Sequence, residues 1–525
     1  MVFFANYYII AIVIQNIQID TNTDVTSETR SSRIRFIYVY FLLLQYITFN
    51  RYLNKMPGGL MQIVAYGAQD IYLTGNPQIT FFKVVYRRHT NFAIESIEQT
   101  FNGTPDFGKK VSCTVSRNGD LIHRIFLEAT LPQVNVSSLA STIQIAQWVN
   151  YIGERLIDYV EVSIGGVKID RHYGEWLHLW NQLSLPAGQE YAYQRMVGNI
   201  PALTRNYRSG INGVSGDTIP ETKLYIPLQF WFCRNPGLAL PLIALQYHEV
   251  KIDIQFQQLS KLFLMLSTSD LSTPLPLTNV SLGTTSLWVD YVFLDNDERR
   301  RFAQVAHEYL IEQVQFQGEE PLSSVNGKIR LPFNHPVKEL VWVVQRESAD
   351  TYLQWTNYSN YLDTTPHYTN NPLGSHLLYG LLEDMSGVTL RDGYTDRGTN
   401  NCKEAKIQLN GQDRFTTRDG DYFNYVQPFN HHTRCPHVGI NVYSFALKPE
   451  EHQPSGTCNF SRIDNANLLI TVDSRSIVKS SVTLDTVRRI LDGNGTSSPA
   501  RIRVYAVNYN VLRITSGMGG IAYSQ

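Results

Sequence analysis

The sequence predicts an all-β chain of the sandwich or jelly-roll class, built from two copies of one fold. Short β-rich runs recur between turn signals, helical periodicity is scarce, and the second half echoes the first in order. The composition agrees, since 31 Tyr and 24 Phe among 525 residues favour strands. The length suffices for two or three domains.

Residues 1–55 stand apart from the rest. "MVFFANYYIIAIVI" and "FIYVYFLLLQYITF" (36–49) are apolar, with a polar Ser/Thr-rich segment between them. Fourteen helical residues reach only about 21 Å, short of a hydrocarbon layer of roughly 30 Å. Asn6, Gln15, Asn16 and Gln18 weaken any longer span. A basic leader region and a small-residue cleavage site are both missing, so a secretory signal fits poorly. Three readings stay open: an upstream extension that the mature protein lacks, a membrane-touching anchor, or an extra packed element. "KMPGGLMQ" offers a second start at Met56.

From Met56 onward the chain reads as one continuous globular design. "NPQITFFKVVYRRHTNF" (76–92) mixes aromatic and β-branched residues with Lys83, Arg87, Arg88 and His89. Such a stretch suits a single-strand platform, a core strand, or an arm held against a neighbour. The β-rich runs include "FFKVVY", "KKVSCTVS", "HRIFLEATL", "YVEVSIGGVKID", "LYIPLQFWF", "EVKIDIQF" and "SLWVDYVFL". In "EVKIDIQF", Val250, Ile252, Ile254 and Phe256 share one face, while Lys251, Asp253 and Gln255 share the other. Helical patterning is confined to "TIQIAQWVNYIGERLIDYV", to "GEWLHLWNQLS" and to "DNDERRRFAQ". The last reads as a linker helix capped by Asp295 or Asn296. Leu183 to Glu221, Gln257 to Thr285 and Glu347 to Asn401 read as long loops projecting from the sheets.

Four echoes argue for duplication. "SIEQTFNG" returns as "LIEQVQFQG", and "YVEVSIGGVKIDRHYGEW" as "EAKIQLNGQDRFTTRDGDYF". "NPGLALPLIALQYHEVKIDI" answers to "QPSGTCNFSRIDNANLLITV", and "LWVDYVFLD" to "IRVYAVNYN". Any one pair is unremarkable between strands. The shared order is what carries the inference.

The chemistry points away from catalysis. A formal net charge of −1 lacks the cationic surplus needed to coat DNA. Cys113, Cys233, Cys402, Cys435 and Cys458 are scattered and odd in number, as reduced thiols are. Phosphate-loop, HExxH, GxSxG and paired CxxC motifs are missing. "HHTRCPH" carries His431, His432, Cys435 and His437, residue types that ligate zinc. Pro436 restricts that backbone and no fourth partner is signalled, so the expectation is a solvated loop and no metal. Asp419 and Asp421 around Gly420 read as a turn, because calcium needs more oxygen ligands. No catalytic or cofactor-binding residue is expected. Asn-x-Ser/Thr triplets start at Asn102, Asn135, Asn279, Asn357, Asn459 and Asn494, of which Asn279, Asn357 and Asn494 lie in expected loops and suit glycans best.

Longer motifs carry a resemblance. "GGLMQIVAYGAQDIYLTGNPQITFFKVVYRRHTNFAIESIEQTFNG", "SRNGDLI", "NPGLALPLIALQYHEVKI" and "VDYVFLDNDERRRFAQVAHEYLIEQ" closely resemble the major capsid proteins of nucleocytoplasmic large DNA viruses. The likeness is greatest to the algal-virus and mimivirus-like branch. "AKIQLNGQDRF", "YSFALKPEEHQPSGTCNFSRIDNANL" and "YNVLRITSGMGGIAY" extend it to the end of the chain. Residues 1–55 fall outside it.

The resemblance implies a double jelly roll, two consecutive eight-stranded β-sandwiches with long loops and a few short helices. It divides the chain into an arm (56–80), a first jelly roll (81–295), a linker (296–302) and a second jelly roll (303–525). It further implies a homotrimer whose six lobes make a pseudo-hexagonal capsomer, tiling an icosahedral shell around an internal membrane. The implied partners are other copies of the chain, minor capsid and penton proteins and that membrane, without direct nucleic-acid binding. The implied location is the virion, assembled in cytoplasmic virus factories. Phe81, Phe82, Val84, Val85 and Tyr86 would be packing residues where the arm meets the first lobe or a neighbour. Arg87 and Arg88 would pair with carboxylates, minor capsid proteins or lipid headgroups. The alternative is a minor capsid or sugar-binding attachment protein on the same fold, which would be a trace band in purified virions.

Overall fold

The computed structural model describes residues 58–136, 139, 143–205, 207, 218–267, 275–347, 349, 353–360, 399–479, 496–497 and 499–523. Two compact units divide at Arg88 and His89.

The unit from His89 onward holds two β-sandwich lobes of the same topology. The first lobe has strands β1 (Phe92–Gln99), β2 (Lys110–Thr114), β3 (Leu121–Leu131), β4 (Ile157–Ile164), β5 (Val167–Tyr173), β6 (Thr222–Pro227), β7 (Val250–Phe256) and β8 (Thr285–Leu294). The second has β9 (His307–Leu322), β10 (Asn326–Arg330), β11 (Pro336–Gln345), β12 (Cys402–Leu409), β13 (Gln412–Asp413), β14 (Ile440–Ser444), β15 (Ala466–Val472) and β16 (Ala500–Thr515).

One sheet of the first lobe runs β1-β8-β3-β6 and the other β2-β7-β4-β5. Adding eight to each label gives the second lobe, β9-β16-β11-β14 and β10-β15-β12-β13. Even the short extra pairings correspond: Leu240–Pro241 lies on β3 and Cys458–Asn459 on β11. Each of the four echoed segments occupies the same topological place in both lobes.

Local chemistry explains the strands. β7 buries Val250, Ile252, Ile254 and Phe256 and turns the intervening residues outward. β15 does the same with Ala466, Leu468, Ile470 and Val472. Both strands sit centrally in their sheets, so the alternation faces one core and one open side. The β4–β5 turn places Gly165 at φ 58° and Gly166 at φ 82°, and the β12–β13 turn places Asn410 at 49° and Gly411 at 83°. Two successive left-handed residues are what a tight hairpin with right-handed twist requires, and Asn and Gly tolerate them best.

Helix α1 (Gly174–Ser184) covers the predicted segment "GEWLHLWNQLS". Helix α2 (Asn296–Gln304) links the lobes, and Asp295 caps it by accepting a hydrogen bond from the Asn296 amide at 2.8 Å. Arg299 anchors α2 to the first lobe through Asp120 at 2.8 Å.

Three expectations change. "TIQIAQWVNYIGERLIDYV" is not one helix: Ile143–Trp148 is a strand paired with Phe263–Ser267, followed by a one-turn helix, Ile152–Leu156, and β4. Cross-strand pairing overrides the helical pattern here, and Tyr151 at φ 49° separates the two conformations. "FFKVVY" forms no strand, because nothing among the described residues pairs with it, and the first strand begins at Phe92. The expected loop Leu183 to Glu221 contains helices Glu190–Met196 and Pro201–Thr204, whose Tyr193 and Leu203 join the first core together with Val197. They cap the end of the sandwich instead of projecting from it.

Candidate functional site: the lobe junction and the arm

Helix α1 belongs to the first lobe by sequence and to the second by half of its packing. Trp176, Leu179, Trp180 and Leu183 form a separate core with Val314, Val341, Val343, Ile440, Val442, Tyr505 and Val507. These second-lobe residues lie on the face of the β9-β16-β11-β14 sheet turned away from that lobe's own core. Strand β11 is therefore buried on both faces, from Val337 to Gln345. Helix α1 is buried from Gly174 to Leu183, its polar Glu175, His178, Asn181 and Gln182 included, so it needs more than one surface to cover it. The second lobe supplies one of them.

Charged contacts lock the same junction. Glu175 at the start of α1 is buried; its carboxylate accepts hydrogen bonds from the Tyr505 hydroxyl at 2.6 Å and the Tyr358 hydroxyl at 2.9 Å, and it forms an ion pair with Arg503, whose Nε lies 2.8 Å away. Burial opposes the charge on Arg503, but the facing Glu175 more than offsets it and holds the guanidinium pKa above its usual range. Nearby, Glu312 of β9 bridges Arg234 of the first lobe and Lys338 of β11, each at 2.8 Å. Burial would raise the Glu312 pKa, but the two cations outweigh it and hold the group below the usual value. Arg434 reaches across to Glu190 at 2.6 Å, and Asp170 of β5 accepts from the Val314 amide at 3.1 Å. An exposed ion pair contributes little, but removing one member of an enclosed pair strands its partner. The junction is a closely packed, ion-paired joint.

His432 departs from expectation. Its ring is fully enclosed, with Nε2 3.1 Å from Glu339 and Nδ1 2.9 Å from Glu450. "HHTRCPH" is thus partly internal, because two carboxylates from outside the motif pull this imidazole inward. Burial alone would lower its pKa; Glu339 and Glu450 raise it to about 9. The folded value exceeds the unfolded one, so this stabilisation is complete below about pH 6.5 and is lost as pH rises through about 9. The upper bound is about 3 kcal/mol, at 1.36 kcal/mol per unit. Urea titrations from pH 6 to 9.5 should show the wild type losing this increment relative to His432→Gln. Parallel curves would contradict the assignment.

The other anticipated residues lie as follows. Among the described residues, no three His, Cys, Asp or Glu side chains gather as a metal site. Burial pushes the Cys113 thiol up to about 11 and those of Cys233 and Cys402 up to about 12, so they stay protonated and unreactive. Asn357 is withdrawn as a glycan candidate. It is 1% exposed, and its amide oxygen accepts from both the amide and the hydroxyl of Ser359. Asn279 is exposed, at φ 60° in a turn; Asn494 lies outside the described residues.

The unit ending at Arg88 is different in kind. Fourteen large apolar side chains between Leu60 and Tyr86 are exposed, including Phe81 at 88%, Phe82 at 96% and Tyr86 at 88%. Among the described residues, none of them belongs to a core cluster. Soluble surfaces rarely expose so much contiguous apolar area without a partner to cover it.

The junction residues were missed by sequence reasoning. Glu175 and Arg503 are 328 positions apart, and no local pattern links them. The bulky apolar run Trp176, Leu177, Leu179, Trp180 and Leu183 in α1 was the usable signal.

Comparison with known proteins accounts for this architecture. Residues 80–295 match the family described as major capsid protein N-terminus, and residues 298–520 match large eukaryotic DNA virus major capsid protein. The chain is 49% identical to the major capsid protein of Phaeocystis pouchetii virus, over 89% of this chain and all of that one. It is 44% identical to the major capsid protein of Paramecium bursaria Chlorella virus 1, with the same coverage. A quasi-atomic model of the PBCV-1 virus capsid superposes with a TM-score of 0.64 at 38% identity, covering 85% of this chain and all of that chain. The chain belongs to the major capsid proteins of large eukaryotic DNA viruses, the non-enzymatic proteins that build the icosahedral shell.

Proposed function

We propose that three copies of the chain form a pseudo-hexagonal capsomer and that these capsomers tile the flat facets of the shell. The observation that carries this is the pair of isomorphous lobes joined by an apolar core and enclosed ion pairs. Three such chains place six similar lobes around a threefold axis. The resulting tile has near-hexagonal edges without true sixfold symmetry. Rigidity matters, because a flexible joint would let the edges drift out of register.

In the same proposal the arm packs against neighbouring subunits through Phe81, Phe82, Val84, Val85 and Tyr86, while Arg87 and Arg88 meet acidic groups or lipid headgroups. Minor capsid and penton proteins and an internal membrane complete the contacts, with assembly in cytoplasmic virus factories. Of the three favoured glycan positions, Asn279 is the one that is exposed among the described residues. Light scattering on the purified protein tests the oligomer: the mass should be three times that of one chain, and a stable monomer at micromolar concentration would contradict the reading.

A further inference from the structure

The two lobes differ at one place that their common topology makes informative. Gly174 opens α1, and a Cβ there would lie 2.2 Å from the carbonyl oxygen of Ile157, the first residue of β4. Gly420 opens the helical segment after β13, and a Cβ there would lie 1.8 Å from the carbonyl oxygen of Cys402, the first residue of β12. The same close approach fixes the register between the two segments. Trp176, Leu179, Trp180 and Leu183 follow Gly174 by two, five, six and nine residues; Tyr422, Tyr425, Val426 and Phe429 follow Gly420 by the same steps. In the first lobe that stripe is buried against the second lobe. In the second lobe Phe423, Asn424, Gln427 and Pro428 face inward, while Tyr425, Val426 and Phe429 are 42%, 44% and 78% exposed.

The surface that would receive this stripe also has a counterpart. On the second lobe, α1 rests beside the cross-strand row Arg503–Val343–Ile440. The echo of "LWV" with "IRV" puts the row Trp288–Phe126–Pro227 at the same place in the first lobe. Phe126 and Trp288 are only partly covered there, Tyr225 beside them is 41% exposed, and the enclosed indole Nε1 of Trp288 has no hydrogen-bond partner among the described residues. Exposed Arg124 on this face matches exposed Asp421, which stands where Glu175 stands before its own stripe.

We propose that Tyr425, Val426 and Phe429 dock on the outward Phe126–Trp288–Tyr225 face of a second copy, repeating between chains the contact that α1 makes within one. The occupant is a second copy because the template for the contact is already built inside the chain. Repeating it three times closes a ring of six lobes. The inference rests on the trimeric reading above and adds the surface that holds the trimer together.

Phe429→Asp alters an exposed residue, so the lobe should keep its circular dichroism and melting temperature. The trimer's dissociation concentration should rise at least tenfold by sedimentation. As a second measurement, co-expressed Phe429→Cys and Tyr225→Cys chains treated with a short bismaleimide should yield a covalent pair that neither single variant gives. A wild-type trimer that tolerates Phe429→Asp and yields no such pair would overturn this surface and leave the trimer intact. A wild type that never trimerises would overturn both.

Discussion

Glu175→Ala is expected to destabilise the folded chain by about 3–5 kcal/mol, the usual cost of removing one member of an enclosed ion pair. Three groups lose a partner together: the Arg503 guanidinium loses its counter-charge, and the hydroxyls of Tyr505 and Tyr358 lose their acceptor. Tyr505 and Tyr358 are each only 1% exposed, so water cannot readily replace the carboxylate. The loss should appear in urea unfolding as a lower midpoint. Limited proteolysis should cut sooner within α2, the segment that spans the loosened lobes. The control is Lys448→Ala, which breaks an exposed pair with Glu451 and should leave the urea midpoint close to that of the wild type. If Glu175→Ala and Lys448→Ala behave alike, the junction is not the ion-paired joint described.

A chain beginning at His89 is expected to fold and to trimerise, yet to assemble into shells at least tenfold less well than the longer chain. The lobes form a compact unit without the arm, so their melting temperature should be little changed. What disappears is the run of exposed apolar residues from Leu60 to Tyr86 together with Lys83, Arg87 and Arg88. Particle yield by electron microscopy, normalised to soluble trimer, separates assembly from folding. Undiminished particles would show that the arm is dispensable, and an unfolded truncation would show that it is structural.

Much of this fold was legible in the residues because its signals are local or repeated. The alternation in "EVKIDIQF" places one residue in two against the core, and β7 follows it. Asp295 before an acidic first turn marks the start of α2, and the ordered echoes identify two copies of one topology. The failures share a cause, in that a distant partner decides the outcome. Ile143–Trp148 becomes a strand because Phe263–Ser267 lies beside it, and His432 is drawn inside by Glu339 and Glu450. Asn357 is a different case: it sits in an expected loop, yet it is buried and bonded to its near neighbours Gln354 and Ser359. The site was less legible than the fold for the same reason. Its charges come from β9, β11, β16 and α1, and only the packed lobes bring them together.

The most direct test is a density map of the purified oligomer. Six sandwiches around a threefold axis, contributed by three chains and each paired with its neighbour through a helix on a sheet, are what two like lobes on a closely packed joint require. Two unlike halves, or lobes that swing independently from one particle to the next, would contradict it.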